Sequence, residues 1–263
     1  MSADFLKTIA QHKLEIIAAK QSYYENLIKH MKPTGQRRYE VFKRAISAPS
    51  QINLIAEVKK ASPSAGLIRE DFNAVKIAGI YIKNKAAAIS VLTEEKYFLG
   101  KFAYLANISA NCPLPVLMKD FIVHHYQIYE GLFYGASAVL LIVAMLEDTQ
   151  LKELMKVAYS LGLDCLVEAH DETEVKRAIG AGAEIIGVNN RNLQNLHVDL
   201  NNCLKLIPQI PKGIIIVAES GLKTHQDVER VKDAGAHAVL IGETFMRSPD
   251  IGAKIKEVMY GTR

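Results

Sequence analysis

Eight short apolar runs punctuate the chain: NLIAEVKK (53–60), AAAISVLT (86–93), PVLMKDF (115–121), ASAVLLIV (136–143), LDCLVEAH (163–170), AEIIGVNN (183–190), IIIVAES (214–220) and HAVLIGE (237–243). Near-continuous apolarity over so few residues predicts strands buried on both faces. The odd-numbered runs share a further trait: each breaks into a charge at its C-terminal edge, at Lys59, Lys119, Glu168 and Glu219. Segments with helical spacing lie between the runs, at 73–84, 101–109, 124–135, 148–162, 171–182, 224–235 and 248–261. Asp148, Asp171 (with Glu174 three residues on) and Thr224 are expected helix caps, as is Ser248 with Pro249 at the first helical position. A glycine-alanine step feeds three of the strands, in YGASAVLLIV (134–143), AGAEIIGV (181–188) and AGAHAVLIG (234–242). Its spacing of roughly 50 residues suits two βα units per repeat.

Eight strands alternating with helices predict an α/β fold, a single (βα)8 TIM barrel over residues 49–263. A doubly wound open sheet is the alternative, but no GxGxxG or GxxxxGK[ST] follows the first strand. Residues 1–48 are expected to form an N-terminal helical extension packed on the barrel. Its segment 5–21 has amphipathic helical spacing, with a looser stretch around Pro33 to Gly35. At 263 residues, 49% of them hydrophobic, one large domain is within reach.

The net charge of +4 is mild, which points to small anionic ligands rather than nucleic acid. Cys112, Cys165 and Cys203 show no metal spacing and suit reduced thiols, so no metal site is expected. No segment reads as a signal peptide or a membrane span, and a soluble cytoplasmic protein is expected.

The strand ends carry the candidate chemistry, because barrel enzymes react at the C-terminal face. Strand alternation puts Glu57 and Lys59 on one side, where they can pair and anchor an anion. The loop ASPSAG (61–66), with Ser62, is suited to order around a ligand. Lys119 ends an apolar run, so desolvation is expected to lower its pKa and fit it for proton donation or nucleophilic attack. Glu168, by the same logic, is expected to ionise reluctantly and act as a base. Asn189 and Arg191 follow the sixth strand, and Arg191 can fork onto a carboxylate or phosphate. ESG (219–221) and GETFMR (242–247), after the last two strands, suit phosphate held by backbone N–H groups. Phe98 and Phe121 are placed near the mouth, where a planar ligand could pack. His170 reads as a helix entry. Three functions fit these residues: an acid–base enzyme, a Schiff-base aldolase-like enzyme of sugar phosphates, and a non-catalytic phosphate-metabolite sensor.

Taken together, IAEVKKASPSAG, SVLTEEKYFLG, VLMKDFIV, LVEAH, IIGVNNRNL, VAESG and LIGETFMRSP resemble the indole-3-glycerol-phosphate synthase family of tryptophan biosynthesis. The resemblance implies ring closure, decarboxylation and dehydration of 1-(2-carboxyphenylamino)-1-deoxyribulose 5-phosphate, with no cofactor. It implies Lys119 as general acid, Glu168 as general base, and Lys59, held by Glu57, in substrate binding and proton transfer. Asn189, Glu219 and Ser220 would support the reacting groups. Gly221, Gly242 and Glu243 would cradle phosphate; Phe98, Phe121 and Leu140 would line the aromatic pocket; Ser62 and Arg191 would touch substrate. The expected form is a monomer, with association with other pathway enzymes left open. Leu99 and Lys101 in the second strand's loop depart from the family pattern, as does NLHVDL (195–200).

Overall fold

The structure is a computed structural model that describes residues 3–31, 40–49, 51–192 and 197–261. Eight parallel strands close into a barrel: β1 Asn53–Val58, β2 Ala88–Leu92, β3 Val116–Lys119, β4 Ala138–Ile142, β5 Asp164–Ala169, β6 Ile185–Asn189, β7 Ile215–Glu219 and β8 Ala238–Ile241. Each strand pairs with its neighbours in sequence, and β8 returns to β1. Alternation divides every strand between two cores. Ile55, Leu117, Leu166 and Val217 pack inside the barrel, while Leu54, Met118, Val167 and Ala218 pack outward against the helices. Two buried faces explain why the sequence shows continuous apolar runs rather than alternation.

The interior ends in charge at the C-terminal rim. Glu57, Lys119, Glu168 and Glu219 share the inward parity of Ile55, Leu117, Leu166 and Val217, and all four come from odd-numbered strands. Barrel interiors fill in layers contributed by alternate strands, so these four form one layer. The register climbs two residues from one odd strand to the next, with Glu57 opposite Ser90 and Leu92 opposite Lys119, the stagger that a closed, tilted barrel requires.

The helices are α1 Ala3–Ala19, α2 Gln21–His30, α3 Val41–Ala45, α4 Ala74–Lys83, α5 Phe102–Asn111, α6 His125–Phe133, α7 Asp148–Ser160, α8 Glu172–Ala181, α9 Asn201–Leu206, α10 His225–Asp233, α11 Glu243–Met246 and α12 Ile251–Tyr260. Asp171 and Thr224 cap their helices as expected, each accepting a backbone N–H. Two expected caps are corrected. Asp148 lies inside the first turn of α7, and its carboxylate binds Arg177 Nε at 2.7 Å. The last helix is capped by Asp250, which accepts from Ala253 N, while Ser248 Oγ donates to the Asp250 carbonyl. Gly135, Gly182 and Gly235 are left-handed, with φ of 89°, 85° and 114°, at the steps the repeat marked.

The segment before β1 touches both ends of the barrel. The helix expected over 5–21 is α1, and a second helix, α2, follows it after Lys20. The stretch around Pro33 to Gly35 lies outside the described residues. At the C-terminal face, Lys13 of α1 pairs with Asp120 at 2.5 Å, and Phe5 packs edge-on against Tyr97. In α2, Tyr24 donates to Glu130 Oε2 at 2.9 Å. Helix α3 closes the opposite end, inserting fully buried Phe42 and Ile46 into the interior core. Asp164, at the start of β5, accepts from the N–H groups of Phe42 and Lys43. Asn53, at the start of β1, donates to the carbonyls of Ile46 and Ala48. Burial of the Phe42 and Ile46 side chains stabilises by about 1.5–3 kcal/mol each.

Candidate active site

A cavity of about 610 Å³ opens at the C-terminal face, above the charged layer. At its floor Lys119 Nζ lies 2.8 Å from Glu168 Oε2 and 3.0 Å from Glu219 Oε2, with only 12% of the lysine side chain exposed. Glu57 Oε2 holds Lys59 Nζ at 2.6 Å beside them. Two glycines make room for the acids. A Cβ on Gly187 would strike Glu219 Oε1, and one on Gly242 would strike the Glu57 carboxylate.

These contacts reverse two expectations. Burial alone would lower the Lys119 pKa, but Glu168, Glu219 and Glu57 outweigh it and raise it above the ordinary value. Burial likewise pushes the Glu168 carboxyl up, but Lys119 and His170 hold it well below the usual range. The reluctant acid is Glu219 instead. Burial and the neighbouring Glu168 charge push it up to about 8 against the attraction of Lys119. Glu219 Oε1 has no hydrogen-bond partner among the described residues. Glu168 wins the ionised role because His170 Nε2 stands 3.2 Å from its other oxygen.

The walls divide by chemistry. On one side Phe98 and Phe121, with ring centroids 5.9 Å apart, join Leu140 in an apolar slot. Glu94 fixes the Phe98 loop by accepting the N–H groups of Lys96, Tyr97 and Phe98. In the same loop Leu99 is left-handed (φ 52°) and 42% exposed. Asp120 orders the Phe121 backbone and is itself held by Thr93 and Lys13.

The opposite side is polar. Asn189 Oδ1 accepts the Arg191 N–H at 2.9 Å, and the Arg191 guanidinium reaches Ser64 Oγ and Glu243 Oε2. Ser220 and Gly221 are consecutive left-handed residues, φ 66° and 80°. A non-glycine residue rarely adopts this conformation, and such strain concentrates at functional turns. Gly242 and Glu243, opening the short α11, also line the cavity. Burial would raise the Glu243 carboxyl, but Arg247, Lys59 and Arg191 hold it below its ordinary value.

Of the residues singled out from sequence, Glu57, Lys59, Lys119, Glu168, Asn189, Glu219 and Ser220 face this one cavity, as do Phe98, Phe121, Leu140, Arg191, Gly221, Gly242 and Glu243. Ser62 does not. It sits in a two-stranded ribbon, Ala61–Ser62 with Gly66–Leu67, where its Oγ accepts from Ala65 N; Ser64 and Ala65 at the ribbon's tip reach the cavity. Sequence reasoning missed His170, Gly187, Glu94 and Asp120, and the cavity-lining cations Lys223, Arg247 and Lys254. Gly187 left a trace: it interrupts an apolar run at an inward-facing position. Among the described residues no group of three or more His, Cys, Asp or Glu is placed to hold a metal ion.

Comparisons with known proteins place the chain in a family. A family model described as indole-3-glycerol phosphate synthase matches residues 6–258. A protein of that description from Acetivibrio thermocellus is 51% identical over 216 residues, covering 82% of this chain and 83% of the relative. One from Endomicrobium trichonymphae is 47% identical over 253 residues, 96% of this chain and 98% of the relative. Among solved structures, a 3-hexulose-6-phosphate synthase superposes with a TM-score of 0.65 at 15% identity, covering 81% of this chain and all of that one. That likeness is of fold.

Proposed function

The chain belongs to the indole-3-glycerol phosphate synthase family, and from that premise we propose that Lys119, Glu168 and Lys59 carry the proton transfers of its reaction. The reaction closes a pyrrole ring on 1-(2-carboxyphenylamino)-1-deoxyribulose 5-phosphate, then releases carbon dioxide and water. The protein is thus a carboxy-lyase of tryptophan biosynthesis.

The observation that carries the site assignment is the position of Lys119, an ammonium between two carboxylates at the floor of the cavity. Ring closure places negative charge on the ketone oxygen as the aromatic carbon attacks it. A lysine that stays protonated across neutral pH stabilises that oxygen and yields its proton once the far more basic alkoxide forms; positioned acids of this kind typically contribute about 10²–10⁴-fold. Loss of carbon dioxide restores the aromatic ring, and the Phe98–Phe121 slot gives that ring an apolar surround. Lys59, oriented by Glu57, then supports departure of the hydroxyl as water. Glu168, kept charged, removes the proton from the adjacent carbon. Acid steps release two protons to the substrate and the base recovers one, so each turnover consumes one proton.

Asn189 and Ser220 steady the reacting groups, and Glu219 shares Lys119 with Glu168. The phosphate is assigned to the turns at Ser220–Gly221 and Gly242–Glu243, with Arg191 and Arg247 nearby. Phosphate binding positions the far end of a flexible chain, an orientation effect that can rival the acid–base one. A Schiff base at Lys119 is not favoured, because the amine must be neutral to attack and two carboxylates hold it charged. We read the protein as cytoplasmic, in keeping with the biosynthetic family to which it belongs, and as active in monomeric form, since one chain supplies the whole cavity. The expected absence of a cofactor stays part of this reading. The test is direct: purified protein and the carboxyphenylamino sugar phosphate should generate indole absorbance, and Glu168→Gln should abolish it with the fold retained.

A further inference from the structure

His170 stands at a boundary that the scheme above does not use. It lines a second cavity, of about 880 Å³, between α1 and the loops after β4 and β5, whereas Glu168 lines the main one. Its ring stands between two carboxylates, hydrogen-bonded to Glu174 and facing Glu168 at ion-pair distance without a hydrogen bond among the described residues. Nε2 lies 3.2 Å from Glu168 Oε1, and Nδ1 lies 2.9 Å from Glu174 Oε2, an oxygen that also accepts the His170 backbone N–H at 2.8 Å. Asn202 ties the same turn to β6 by donating to the carbonyls of His170 and Asn189.

The charges of the layer explain why a cation belongs there. Glu57 has Lys59, whereas Glu168 and Glu219 must share Lys119. One carboxylate is therefore in surplus. It stays ionised only beside a further positive charge, and His170 supplies one to Glu168 and none to Glu219. We propose that His170 is a positioning residue for the base: as an imidazolium anchored by Glu174, it sets a positive charge against one oxygen of Glu168, keeps that carboxylate charged, and leaves the layer's surplus proton to Glu219. The proposal rests on Glu168 being the base.

Burial would lower the His170 pKa, but Glu168 and Glu174 raise it to about 9, so the ring is charged at neutral pH. The other charged groups facing it across the side cavity are Lys7 of α1, Glu147, Asp148, Asp171 and Arg177. Arg177 is already engaged by Asp148 at 2.7 Å. With the histidine neutralised, Glu168 and Glu219 would compete for one proton, and the base would take up a proton at higher pH than in the wild type.

The test is the pH profile of kcat/KM for His170→Asn with the carboxyphenylamino sugar phosphate. Losing an opposite charge at this distance should move the acid limb up by about one pH unit or more. The loss relative to wild type should then grow toward acid pH, reaching about tenfold where both limbs have fallen, and stay less than about threefold at pH 9, with KM changed by less than about twofold. His170→Arg, which restores a positive charge into the room of the side cavity, should return the limb toward its original position. Glu174→Gln removes only the anchor and should shift the limb less, in the same direction; it also serves should His170→Asn not fold. A loss equal at every pH, or an unmoved limb in both His170→Asn and Glu174→Gln, would overturn the proposal. Retained turnover in Glu168→Gln would instead remove the base itself, a different failure with a different variant.

Discussion

Gly242 lies so close to Glu57 that a single methyl group on it would overlap the carboxylate that holds Lys59. The backbone there has φ −127°, outside the left-handed region, so the close approach of Glu57 is the main constraint. Gly242→Ala should displace Glu57, release Lys59, and lower kcat/KM by at least about tenfold, worth about 1.4 kcal/mol. Gly79→Ala, where nothing lies within 4 Å, is the control. It should leave kinetics alone and stabilise α4 by about 1 kcal/mol through helix propensity.

Glu219 carries a distinct pH signature. Its ordinary value is 4.5 and its folded value is about 8. Below the first, both folded and unfolded chains hold the proton; between the two, only the folded chain does. Stability contributed by this group therefore declines as pH rises from 4.5 to about 8, and levels off above. Glu219→Gln, neutral throughout, should remove that decline. Denaturant midpoints at pH 5 and pH 8.5 measure it: the wild-type difference should exceed the variant's, and equal differences would refute the assignment.

The plug at the far end should govern stability without touching chemistry. Phe42 is fully buried inside the barrel, on the side away from the cavity. Phe42→Ala should cost about 3–5 kcal/mol in denaturant unfolding, while kcat at 25 °C stays within about twofold of wild type.

Much of this was legible in the sequence, for a reason the barrel supplies. Alternate strands fill alternate layers, so charges ending every second apolar run announce a single charged layer. Lys119, Glu168 and Glu219 could be found that way; at the first run the edge charge is Lys59, and the layer holds its partner Glu57 two residues earlier. Their ionisation could not. Lys119 and Glu168 were each judged by burial alone, yet Lys119 bonds to acids 49 and 100 residues away, and those partners reverse both shifts. His170 was hidden by a local reading. Its neighbour Asp171 does cap α8, but its ring turns back to Glu168. Ser248 fails as a cap because Asp250 stands two residues on and spacing alone does not choose between them; Asp148 fails because α7 begins one residue earlier, with Glu147 at the N-cap and no side-chain cap bond. Ser62 was placed one turn short, since the ribbon that carries it presents Ser64 to the cavity instead.

The most direct test replaces the lysine between Glu168 and Glu219. Single-turnover indole formation by Lys119→Ala, with far-ultraviolet circular dichroism to verify the fold, should fall at least about 100-fold. Turnover within a few-fold of wild type would show that ring closure draws its proton from elsewhere and that Lys119 is only a strut between two acids.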